Sequence, residues 1–195
     1  DYFVEMFRLN ACGLYEEILN PDALKHPNGE DRYFVKAQAG IRIKCLNKAL
    51  KRIKKSPEKR GFALDNMGAF DWQTVSGALS TGTHGTGIHQ PAFPDMVRSI
   101  VIIGTGGLVT QYEPLNGRIT DPIAFEAKYG GTIKLEQNDE LFYSVVLGLG
   151  AMGIIYELVL EVSPTYWIKE NRTIVDWDTE LKPQLLKENN KKLVE

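Results

Sequence analysis

The sequence has little cysteine, little histidine and no long hydrophobic run, and each scarcity narrows the function. Two cysteines, Cys12 and Cys45, make no disulfide framework and read as reduced, partly buried thiols. Three histidines leave few ligands for a metal, and the one imaginable set, His84 and His89 with Asp95, has no coherent ligand spacing. No segment approaches the ~20 apolar residues of a membrane-spanning helix. The start, Asp1-Tyr-Phe-Val-Glu-Met-Phe7, lacks the basic end and apolar core of a secretory signal. It reads as a strand entered in mid-stride, so the chain is expected to be a piece of something longer. A formal net charge of -2 excludes a global basic field of the kind that draws nucleic acid. The default expectation is an intracellular, soluble protein with room for one good core or two small lobes.

The remaining pattern is mixed α+β, with more strand than helix, no internal repeat and no low-complexity tract. Strands are expected at Tyr2–Leu9, Arg32–Ala39, Val97–Ile103, Leu108–Tyr112 and Ile154–Val162. The stretch from Leu14 to Ala23 is turn-like or briefly helical, and Asn28-Gly29 is a turn. After Gly40 the spacing of Ile43, Leu46, Leu50 and Ile53 predicts a helix, ended by Ser56-Pro57. Its other side carries Lys44, Lys48, Lys51, Arg52, Lys54 and Lys55. With no interleaved aromatics in the segment, these read as a solvated face rather than an anion- or nucleic-acid-binding patch. Gly61 to Gly87 reads as loop and short strands. Asn138 or Asp139 caps a short helix that ends at Gly148. In the last strand Tyr156, Leu158, Leu160 and Val162 share one face and Glu157 and Glu161 the other. The tail from Asp176 to Glu195 is polar and helical in pattern, broken by Pro183.

Two glycine-rich stretches compete for attention. Gly104-Thr-Gly-Gly107 follows a strand, as a dinucleotide fingerprint would, but Leu108-Val-Thr-Gln-Tyr112 favours a strand where that fingerprint needs a helix. The reading is a hairpin turn. The stronger signal is Thr74-Val-Ser-Gly-Ala-Leu-Ser-Thr-Gly-Thr-His-Gly-Thr-Gly87. Nearly every residue is small, so main chain is bare. Gly77, Gly82, Gly85 and Gly87 together cost roughly 2–4 kcal/mol relative to alanine, which is large against a net stability of about 5–15 kcal/mol. Such a stretch suits an extended, phosphate-bearing cofactor held against main-chain N–H groups.

Asn66-Met-Gly68 followed by Thr74–Gly87 resembles the vanillyl-alcohol oxidase / p-cresol methylhydroxylase flavoproteins, and most of all their aldonolactone and alditol oxidase branch. Three further pieces agree in order: Ala37-Gln-Ala-Gly-Ile41 with its Asn-Lys-Ala-Leu helix, the hairpin from Val97 to Tyr112, and Leu149-Gly-Ala-Met-Gly-Ile-Ile155. The resemblance covers roughly Tyr2 to Pro164. It implies the second subdomain of a PCMH-type FAD-binding domain, a mostly antiparallel sheet flanked by helices. It also implies an FAD-dependent oxidoreductase in which the flavin takes a hydride from a CH–OH group of a small polyol, sugar or aldonolactone. The expected division is 1–164 as a partial FAD-binding domain and 165–195 as the start of a substrate or cap region. The family's upstream pyrophosphate loop, with its histidine for covalent flavin attachment, and most of its substrate domain are not in this stretch. The remainder of the protein or a complementing chain is expected to supply them. The alternative is a non-catalytic module that keeps the fold without flavin.

The resemblance assigns cofactor contact to Thr74, Ser76, Gly77, Ser80, Thr81, Gly82, Thr83, His84, Gly85, Thr86 and Gly87, and to Gly153, Ile154 and Ile155. Read physically, the glycines let amides approach, while the hydroxyls either donate to phosphate and ring oxygens or cap local turns. His84 either packs on the flavin or is a structural histidine satisfied by backbone; no orienting carboxylate marks it as a general base. Ile154 and Ile155 offer main chain to the adenine end or pack as a β-branched pair, and both can hold. No catalytic residue and no metal ligand is assigned. Asp65 and Asp71 read as turn carboxylates, and Trp72 as core or cofactor-cleft lining. Valine at Gly82 or Gly85 is expected to cut FAD retention more than folding.

Overall fold

The structure is a computed structural model describing residues 5–55, 60–87 and 89–185. Among the described residues, seven strands form the sheet: β1 (Cys12–Leu14), β2 (Tyr33–Gln38), β3 (Phe62–Ala63), β4 (Val97–Ile103), β5 (Val109–Glu113), β6 (Lys134–Gln137) and β7 (Ile154–Pro164). Their spatial order is β1-β2-β7-β4-β5-β6, with β3 paired to the end of β7. Every pairing is antiparallel except β5 with β6. Four helices accompany the sheet: α1 (Ile43–Arg52), α2 (Val75–Ser80), α3 (Pro122–Tyr129) and α4 (Asp139–Val146).

The period-2 pattern of β7 sets the two faces. Leu158, Leu160 and Val162 enter the main core with Leu46 and Leu50 of α1, Ala78 and Leu79 of α2, and Phe142 and Val145 of α4. Val159, between Glu157 and Glu161, packs instead into a second cluster with Tyr15, Ile119 and Phe125 of α3. Glu161 fastens three strands on that second side. Its carboxylate accepts from Arg32 Nε (2.8 Å) and Nη2 (2.7 Å) beside β2, and from Arg98 Nε (2.7 Å) on β4. Burial opposes ionisation of Glu161, but the two guanidiniums prevail and hold its pKa at about 2.

The expected strand at Tyr2–Leu9 is corrected where it is visible. Residues 1–4 lie outside the described residues, and 5–9 form a turn closed by Leu9 N–H donating to the Met6 carbonyl (2.8 Å). The edge strand is β1, a few residues later, zipped to β2. The reading of Gly61–Gly87 as loop and short strands is also corrected: it contains α2. Thr74 caps this helix, its hydroxyl accepting from Gly77 N–H (3.2 Å), and Val75 and Leu79 are buried. Two elements, α3 and β6, have no counterpart in the sequence reading. α3 is capped by Asp121, which accepts from the Ile123 and Ala124 amides, and ends at Gly130 in the left-handed conformation (φ 53°). The hairpin reading of Gly104–Gly107 holds: a single 3₁₀ turn joins β4 to β5. Ser56-Pro57 lies outside the described residues, and α1 ends before it, at Arg52.

A second compact unit runs from Tyr166 to Glu195. Asp176 caps a π-helical turn, Trp177–Leu181, by accepting from Thr179 N–H (2.8 Å), and α5 (Lys182–Leu185) continues it. The change of winding falls next to Pro183, whose ring removes an N–H from the helical ladder. Residues 186–195 of the expected tail helix lie outside the described residues. No described helix is long and apolar enough to cross a membrane.

Candidate functional site

Ser76, Gly77, Ser80 and Thr81 on and just after α2 face Gly153, Ile154 and Ile155 at the start of β7 across a cleft of about 370 Å³. These seven predicted residues come from two distant stretches of chain, and the fold brings them together. Met6, Leu149 and Gly150 complete the wall. The volume is at the low end for small-molecule sites, which run roughly 300–1,000 Å³. The wall carries no ionisable side chain, so this surface can hold and orient a ligand but cannot move a proton.

The polar groups of the α2 wall are largely engaged. Val75 and Ser76 N–H groups donate to the Ile41 and Ala39 carbonyls, and Gly77 N–H to Thr74 Oγ1. The Ser76 hydroxyl donates to the Ala39 carbonyl (2.9 Å), and that of Thr81 to the Gly77 carbonyl (3.0 Å). Local capping therefore accounts for Thr74 and Thr81, and a bond across to the chain after β2 for Ser76. The hydroxyls of Ser80, Thr83 and Thr86 make no hydrogen bond among the described residues.

The opposite wall supplies the unengaged donors. Leu149 and Gly150 line the cleft, and their amides make no hydrogen bond among the described residues. Their backbone is unusual: Leu149 has φ 49° and Gly150 φ 81°. A left-handed leucine costs roughly 1–2 kcal/mol relative to the right-handed form. Successive amides turned by such a conformation form a concavity suited to an anion. Leu149, Gly150 and Met6 were not among the predicted contacts. The Leu149–Ile155 segment of the resemblance carries the signal, but a leucine side chain gives no warning of left-handed backbone.

Seven predicted residues lie outside this wall. Thr74 is the α2 cap. Gly82 follows the helix in the left-handed region (φ 66°), its amide bonded to Leu79. Thr83 donates its amide to Ala78. His84 is exposed, and its Nδ1–H donates to the Gly85 carbonyl (2.9 Å), the backbone-satisfied arrangement. Gly85 is small because Asn66 and Met67 press on it: a Cβ there would collide with Asn66 Oδ1 and lie 2.7 Å from the Met67 carbonyl. Thr86 and Gly87 are exposed. The two isoleucines divide as their alternation requires, Ile155 in the core and Ile154 41% exposed at the cleft. Trp72 is corrected: it belongs to neither the core nor the cleft wall and stands half exposed over Arg42 and Lys44.

The mostly antiparallel sheet and its helices share the fold of a VAO-type flavoprotein from Myceliophthora thermophila, with a TM-score of 0.51 at 12% identity over 82% of this chain and 23% of that one. A solvent-stable cholesterol oxidase superposes with a TM-score of 0.52 at 17% identity, over 80% of this chain and 24% of that one. A xylooligosaccharide oxidase from Myceliophthora thermophila gives 0.52 at 17% identity, over 82% and 25%. In sequence the chain is aldonolactone-oxidase-like. It is 29% identical over 184 residues to D-arabinono-1,4-lactone oxidase of Debaryomyces hansenii, covering 93% of this chain and 28% of the relative. With the Candida albicans protein of that name it is 30% identical over 144 residues, covering 73% and 20%. The chain thus spans between a fifth and a third of these curated relatives. No family model matches it.

Proposed function

We propose that the cleft between α2 and the start of β7 holds part of an FAD, and that the whole protein is an FAD-dependent oxidoreductase acting on an aldonolactone-type substrate. The observation that carries this reading is the meeting of the small-residue motif with Gly153–Ile155 across one concave, uncharged surface. The residues fit the group. Gly77 leaves main chain bare at the wall, Ile154 offers an exposed apolar contact for a flat ring, and the Leu149 and Gly150 amides and the Ser80 hydroxyl are free to donate to phosphate or ring acceptors. We assign Gly82, Thr83, His84, Gly85, Thr86 and Gly87 to the same cofactor beyond the cleft. When bound, the flavin supplies the hydride acceptor for the substrate CH–OH carbon.

In this reading 1–164 is the second half of the FAD-binding domain, and 165–195 begins the substrate or cap region. The pyrophosphate loop and the catalytic side chains come from the remainder of the protein or from a complementing chain. A small-molecule substrate agrees with the lactone in the relatives' name, D-arabinono-1,4-lactone oxidase. Free Cys12 and exposed Cys45 suit a reducing, intracellular compartment.

The test uses the full-length protein, purified without added cofactor. It is expected to be yellow, with a flavin spectrum that bleaches anaerobically on adding D-arabinono-1,4-lactone. A folded, colourless protein would overturn the reading and favour the module without flavin. A yellow protein bleached only by unrelated alcohols would keep the cofactor and reject the substrate class.

A further inference from the structure

We propose that the outer face of α1, with the loop that packs on its N-terminus, docks the protein on an anionic lipid surface. Residues 41–55 hold seven cations and no carboxylate: Arg42, Lys44, Lys48, Lys51, Arg52, Lys54 and Lys55. The apolar side of the helix, Ile43, Leu46 and Leu50, is spent in the core, so its orientation is fixed. Lys44, Lys48 and Lys51 recur at four- and three-residue spacing and so form one outward stripe. Among the described residues, none of the seven cations pairs with a carboxylate.

The aromatics missing from the helix itself arrive from the 65–73 loop. That loop is tied to the first turn of α1 by Ile43 N–H donating to the Gln73 carbonyl (2.9 Å) and Lys44 N–H to the Asp71 carbonyl (2.8 Å). The Trp72 ring lies 5.0 Å from the Arg42 guanidinium and 4.9 Å from Lys44 Nζ, at one end of the stripe. Phe70, two residues away, is 64% exposed. The loop contributes two carboxylates, Asp65 and Asp71, against the seven cations.

Charge complementarity selects the occupant. Clustered lysines and arginines are drawn to anionic leaflets, and tryptophan favours the headgroup level with its cations in water and its ring against acyl chains. Phe70 has no polar handle and suits the same boundary. A single-stranded nucleic acid instead needs a groove with repeated stacking platforms. Here the face is a convex helix with no groove, Trp72 at its start and the partly buried Tyr33 ring 5.5 Å from Lys55 Nζ beyond its end. The whole chain is slightly acidic, so the attraction is local and orients the molecule, with the stripe toward the lipid.

The experiment is co-sedimentation of the full-length protein with vesicles of phosphatidylcholine alone or with about a third phosphatidylserine. Binding is expected only to the anionic vesicles, and 0.5 M NaCl is expected to release it. Lys48→Ala/Lys51→Ala/Lys54→Ala should lower the partition coefficient on the order of 100-fold with unchanged thermal midpoint. In the full-length protein, Trp72→Phe should remove the part of the tryptophan emission that anionic vesicles shift to the blue and that brominated anionic lipid quenches. Equal binding to both vesicles, no binding, an unresponsive Trp72, or tighter salt-sensitive binding to a single-stranded oligonucleotide would each overturn the proposal.

Discussion

At the scale of single residues, space around the glycines separates two reasons for being small. Gly85 has Asn66 and Met67, packed on it from a distant loop, where a side chain would go. The expectation that valine there mainly removes flavin is therefore revised: Gly85→Val should lower the thermal midpoint and shed flavin together, while Gly82 is held by its positive φ. Calorimetry beside flavin content measures this; a stable but colourless Gly85→Val protein would contradict it. Glu161 offers a second test. Its pKa is depressed, so its stabilisation is complete above the ordinary carboxylate range and is lost as pH falls from about 4 toward 2. Glu161→Gln leaves Arg32 and Arg98 half-buried without their carboxylate, and should cost about 3 kcal/mol at pH 7. It should also flatten the acid limb of a urea-midpoint-against-pH curve. An unchanged acid limb would show that another group governs it.

At the scale of elements, what the sequence made legible was periodicity, and what it hid was use of the same residues for two purposes. β2, β4, β5, α1, α4 and the faces of β7 follow from two- and four-residue spacing of apolar side chains. α2 escaped because Ser-Gly-Ala-Leu-Ser has little intrinsic helix preference; the Thr74 cap and burial of Val75 and Leu79 supply what propensity lacks. α3 carried a readable Asp121-Pro122 start and Gly130 stop, and only its weak apolar stripe concealed it. Half of the predicted site lines the cleft, and it was the resemblance to the flavoprotein family, not spacing, that paired the motif with the strand start. The Leu149–Gly150 wall stayed hidden because backbone φ is set by the fold. Thr74→Ala should cost about 1 kcal/mol and weaken flavin retention only in proportion to the fraying of α2. A large flavin loss at unchanged stability would give Thr74 a direct cofactor contact instead. Burial also raises the stakes at the end of β5. Glu113 is fully buried and accepts from Ile119 and Thr120 amides, Gln111 and Gln137. Glu113→Ala should cost roughly 3 kcal/mol or more in urea unfolding by stranding these donors.

At the scale of the whole molecule, the uncharged cleft is bounded by a sheet whose two faces are both packed, which fixes the cleft without further support from the residues that line it. Two compact units divide the chain near Thr165, and the larger one contains every described residue of the cleft. The central claim is that this cleft receives the cofactor, and Ile154 is its cleanest probe, exposed at the wall and outside both cores. Flavin content per mole of purified full-length Ile154→Glu protein, measured beside its thermal midpoint in apo form, is the most direct measurement. A carboxylate facing an anionic cofactor should lower retained flavin at least tenfold while the apo midpoint stays within a few degrees of the parent. Undiminished flavin in a protein carrying that glutamate would place the cofactor elsewhere and contradict the account.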